Sequence, residues 1–60
     1  MNMVQVDDYA RRLYDAHGDR AEYEAAQKMR ESADRGDETA AAQWRQVREK
    51  IRILRGPLVS

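Results

Sequence analysis

Gly36-Asp37-Glu38-Thr39 is the stretch on which the fold turns. A glycine just past a helical run can take the left-handed conformation that closes a helix C-terminus. An aspartate after it can accept hydrogen bonds from the free N–H groups of the next helix. Asp34, Asp37 and Glu38 also place negative charge beside that second start, where the helix dipole favours it. One helix therefore ends at Gly36 and another begins at Asp37, joined closely enough to fold back antiparallel.

Downstream, Ala40, Trp44, Val47, Ile51 and Leu54 recur at steps of four, three, four and three, one face of a helix predicted over 38–54. Arg55-Gly56-Pro57 stops it with a basic last turn, a glycine and a proline, leaving 56–60 as a tail. Upstream, 19–35 reads as a helix whose stripe, Ala25, Ala26, Met29 and Ala33, is small enough to admit a close neighbour. The bulky stripe from Trp44 onward is expected to bed on it. A first run over 6–17 places Val6, Tyr9, Ala10, Leu13, Tyr14 and His17 on one face, with Asn2 or Asp7 as its cap and Tyr9 and Leu13 covering the seam. Gly18-Asp19 repeats the central Gly-Asp pair, and Asp19-Arg20-Ala21-Glu22 resembles a capping box. The apolar face also runs smoothly past Gly18, however, and one glycine costs a helix only about 1 kcal/mol. A break at Gly18 and one continuous helix to Arg35 both satisfy the pattern.

The 60 residues allow one small all-α domain, an antiparallel hairpin or three-helix arrangement. Nine of its apolar residues are alanine, phenylalanine and cysteine are absent, and one histidine offers no metal cluster, so disulfides and metals cannot reinforce the core. Dimerisation that completes a bundle is the remaining remedy, and a homodimer is expected. Net charge is zero but divided: residues 1–40 carry six basic and ten acidic side chains, residues 41–60 five and one. Opposite halves favour antiparallel packing, within one chain or between two. No apolar run approaches the roughly 18 residues that span a bilayer, and Met1-Asn2-Met3 lacks the features of a signal peptide. No membrane association and a cytoplasmic location are expected.

Leu13-Tyr14-x-x-His17-Gly18-Asp19, Ala25-Ala26-Gln27-Lys28, Gly36-Asp37, Trp44-Arg45-x-x-Arg48 and Arg55-Gly56-Pro57 together resemble short helical proteins of bacteria, a group with no assigned activity. The resemblance covers most of the chain and implies a bacterial cytoplasmic protein. The tetratricopeptide signature cannot be laid onto the sequence.

No catalytic constellation emerges, so no enzyme and no cofactor is expected. His17, between Asp15 and Asp19, has no nucleophile or further metal ligand beside it and reads as a last-turn histidine meeting its helix's carbonyls. The carboxylates Glu22, Glu24, Glu31, Asp34, Asp37 and Glu38 lack the Glu-x-x-His partner of a dimetal bundle and read as a solvated face. Arg35-Gly36-Asp37, an adhesion-type tripeptide, is absorbed by the helix connection. Two features point outward. Tyr9, Leu13, Trp44, Val47, Ile51, Ile53 and Leu54 form a candidate protein interface, with Tyr14 and Tyr23 offering further aromatic area. Arg45, Arg48, Arg52 and Arg55 form a row beside the stripe, suited to carboxylates across a protein contact or, alternatively, to nucleic-acid phosphates. The expected function is a structural or adaptor module working through protein contact, with nucleic-acid binding as the alternative.

Overall fold

The computed structural model describes residues 3–56 and consists there of three helices, α1 Met3–His17, α2 Arg20–Asp34 and α3 Glu38–Arg55, with no strand among them. The fold is all-α, as the periodicities require. Asn2 and Pro57-Leu58-Val59-Ser60, invoked above as a cap and a tail, lie outside the described residues. Asp7 is no cap: α1 starts at Met3, which puts Asp7 inside the helix.

The Gly36 turn forms as its residues dictate. Gly36 takes φ +77°, its N–H donates to the Ala33 carbonyl at 3.0 Å, and the Asp37 N–H donates to the Ser32 carbonyl at 2.9 Å. This crossed pair satisfies the last carbonyls of α2. Asp37 then turns to its other side: its Oδ1 accepts from the Ala40 N–H at 3.1 Å, capping α3. A cap of this kind contributes about 1 kcal/mol.

Gly18 breaks the chain as well, which settles the continuous-helix alternative in favour of a turn. Its φ is +61°, its N–H donates to the Tyr14 carbonyl at 2.7 Å, and its own carbonyl accepts from the Ala21 N–H at 3.0 Å. The capping box expected after it does not form. Asp19 sits at φ −61°, ψ −23° and its side chain makes no capping bond. A cap needs extended backbone to aim its side chain back at the following N–H groups, and helical backbone aims it outward.

Three small helices meet in a core of Val6, Ala10, Ala21, Ala25, Val47 and Ile51, with Leu13, Tyr14 and Trp44 packed against it. α3 packs on both other helices, while α1 and α2 touch each other least. The buried stripe of α2 therefore differs from the expected one. Ala33 is exposed, Ala26 and Met29 are half-buried, and Ala21, Ala25 and Ser32 face inward. The helix is rotated because α1, folding back at Gly18, must be accommodated along with α3, and only the line of smallest side chains can face both. Ser32 is fully buried; its Oγ accepts from Arg35 at 3.4 Å, which spares it the penalty of an unsatisfied hydroxyl.

One pair fastens α1 to α3 through charge. Lys50 Nζ lies 2.6 Å from Asp7 Oδ1. The Lys50 hydrogen bond holds the Asp7 carboxyl below its ordinary range; partial desolvation opposes this, and the Lys50 and Arg11 charges assist it. A carboxyl whose folded pKa is depressed contributes stability that is present above its unfolded value and is lost as pH falls through the folded one. The stability gap between the parent and Asp7→Asn, measured by denaturant melts, is therefore expected to be widest above the ordinary aspartate range and to shrink as pH falls through and below it. A gap independent of pH would show that Asp7 owes nothing to Lys50.

Candidate interaction surface

The candidate interface residues divide by their place in the fold. Val47 and Ile51 are fully buried within the single chain and belong to the core, so they are unavailable to a partner. Leu13, Trp44 and Leu54 are half-buried. Tyr9, Tyr23 and Ile53 are exposed, at 42%, 66% and 69% of their area, and only Tyr9 has a large aromatic neighbour. Its ring meets that of Trp44 edge-on, centroids 5.5 Å apart and planes at 79°. This is the favoured edge-to-face geometry. The pair straddles the seam between α1 and α3, with Gln5, Asp8 and Arg12 beside Tyr9 around a shallow depression. Ile53 and Tyr23 lie on other faces, a lone residue each, which soluble surfaces tolerate.

The arginine row runs the opposite way from a free phosphate-binding strip. Glu22, a half-buried carboxylate with its side chain 20% exposed, sits under three of the four arginines. Arg55 hydrogen-bonds Glu22 Oε1, and Arg52 Nε and Arg48 Nε lie 3.7 and 3.9 Å from Oε2. Arg55 also reaches Asp19 at 3.5 Å, and Arg52 reaches Glu49 on its own helix at 3.5 Å. Arg48 Nε is shielded from solvent and beyond hydrogen-bond reach of a partner, so it contributes to the cluster through charge alone. Arg45 is exposed and makes no ion pair with a described residue. Three of the row's four members thus meet protein carboxylates, and they are those of the same chain. Glu22 was hidden in the sequence by abundance: ten acidic residues precede Ala41, and nothing in the spacing of one helix says which of them faces another.

His17 has a partner of a different kind from the one expected. Its Nδ1–H donates to the Glu24 carboxylate, at 2.5 and 2.6 Å from the two oxygens, across the Gly18 turn. The Gly18 N–H serves the Tyr14 carbonyl, and the imidazole turns away from its own helix to α2. The described residues contain no group of three or more His, Asp or Glu able to hold a metal ion, and no helix long and apolar enough to cross a membrane.

No family model matches the chain, and neither a curated protein nor a solved structure matches it.

Proposed function

We propose that the protein acts through protein–protein contact, as a small self-associating structural or adaptor module of the bacterial cytoplasm. The observation that carries this reading is the Tyr9–Trp44 pair. A small chain with few large apolar side chains leaves its only tryptophan incompletely buried, set edge-on against a tyrosine at 42% exposure, where α1 meets α3. Tryptophan, tyrosine and arginine are the residues whose burial most often dominates a protein contact, and Arg12 stands next to Tyr9. A second copy laid over this seam would cover both rings. The arginine row supports no second reading, because phosphate would have to displace Glu22 and Asp19 from three of its members.

Light scattering over a dilution series tests the proposal. The chain weighs 7.0 kDa. The expected result is a mass approaching twice that value at high concentration and falling on dilution. A mass that stays at one chain across the whole series overturns self-association.

A further inference from the structure

We propose that Gly18 is a hinge at which α1 can swing out and dock on the α3 of a second copy, so that the chains associate by exchanging α1. The proposal rests on the self-association reading and supplies its route.

The two turns of the molecule are unequal. At Gly36 the bend is fixed by two backbone bonds to α2 carbonyls and by the Asp37 side chain, and Asp37 itself has non-helical backbone, φ −91°, ψ 81°. At Gly18 the departure from helix is one residue wide. The Gly18 N–H still makes the helical bond to Tyr14, and Asp19 is already helical and uses its side chain on Arg55. The helical path breaks at the φ of +61° on Gly18. A side-chain carbon placed on Gly18 would meet no atom within 4 Å, so an alanine there is opposed by the left-handed backbone alone and by no packed neighbour.

The apolar pattern is already in phase for that change. Ala10, Tyr14, His17, Ala21 and Ala25 follow steps of four, three, four and four straight through the glycine. In the straight form α1 can no longer reach the α3 of its own chain, and Val6 and Ala10 lose their bed against Val47 and Ile51. An α1 from a second copy restores every one of those contacts, including Asp7 on Lys50 and Tyr9 on Trp44, because it is the same helix. The occupant is thereby specified: the bed on α3 fits α1, and the only other source of α1 is another copy. The His17–Glu24 pair alone belongs to the bend. Residues seven apart stand about 10 Å apart along a straight helix, so straightening within the chain opens that clasp.

The test uses Gly18→Ala. Denying the left-handed conformation favours the straight form roughly 5–30-fold per chain. Spin labels at Asp15→Cys and Ala33→Cys, in labelled chains diluted with unlabelled ones, read the geometry within one chain. These positions are exposed and the native chain has no cysteine. In one straight helix they stand about 27 Å apart, and any bend brings them closer. The expected result is a dimeric Gly18→Ala protein at the long distance. A second variant, made by chemical synthesis with D-alanine at position 18, holds φ positive and is expected to fold as a monomer. The proposal is overturned if Gly18→Ala stays monomeric, if the D-alanine chain dimerises as the parent does, or if Gly18→Ala dimerises at the short distance; in that last case self-association stands without exchange. A parent that remains monomeric while Gly18→Ala forms the long-distance dimer supports the hinge and removes self-association of the parent.

Discussion

Ile51→Ala is expected to destabilise the protein by about 2–5 kcal/mol, enough to leave so small a chain largely unfolded near body temperature. Ile51 is the largest fully buried side chain, and it lies where all three helices meet. Truncating it removes the transfer free energy of its branch and leaves a cavity that α1, α2 and α3 would all have to close at once. Helices bearing alanine on their inner faces are already in close approach and have little left to give. A folded domain of this size is stabilised by only about 3–9 kcal/mol, and each kcal/mol shifts the melting point by about 4–8 °C. Trp44→Ala is expected to be milder than Ile51→Ala, although tryptophan is the larger residue, because its ring keeps contact with water in the folded state and so less of its area changes environment. Thermal melts followed by circular dichroism decide the order. If Trp44→Ala lowers the melting point more than Ile51→Ala does, the ring is the true centre of the core and its exposed edge is covered in solution.

That ordering marks where the sequence was and was not legible. The helices on either side of Gly36 were legible because they carry clear three-and-four spacing and the Gly36-Asp37 pair carries its own geometry, whereas the break at Gly18 could not be told from a continuous helix, since the apolar face runs through it in phase. The stripe of α3 was legible for the same reason. The inner face of α2 was obscure, since alanines at 21, 25, 26 and 33 are interchangeable as signals, and Met29 drew the axis of the stripe toward itself. Ser32 looked polar and is fully buried. Such a choice is made by the two helices that pack on α2 and has no trace in its own period. The candidate surface was legible only in part: Tyr9 and Trp44 could be named, while their contact depends on α1 crossing to α3, a matter of tertiary arrangement. The arginine row was visible as a row, and its partner was not.

That partner gives the second large effect. Glu22→Gln is expected to destabilise the fold by roughly 1–2 kcal/mol at low ionic strength, more than any exposed ion pair of the molecule would. Glutamine preserves the shape of the side chain and can still accept from Arg55, so the loss isolates charge. It leaves Arg48, Arg52 and Arg55 facing one another beside α2 with Asp19 and Glu49 as their remaining counter-charges. The arginines are between 33% and 53% exposed, which screens the effect and keeps it well below that of a buried ion pair. Asp8→Asn supplies the comparison: it removes an exposed pair with Arg12 on the surface of α1 and should change stability by no more than about 0.5 kcal/mol. Denaturant melts of the three proteins at about 0.01 M and 1 M salt, where the screening length falls from about 30 to 3 Å, should show the Glu22→Gln gap narrowing as salt rises. Freed of its carboxylate, the same row should also gain affinity for a polyanion such as duplex DNA, with the salt-dependent slope that phosphate contacts produce. A Glu22→Gln protein that melts with the parent at low salt and leaves DNA affinity unchanged would show that Glu22 does not hold the three arginines.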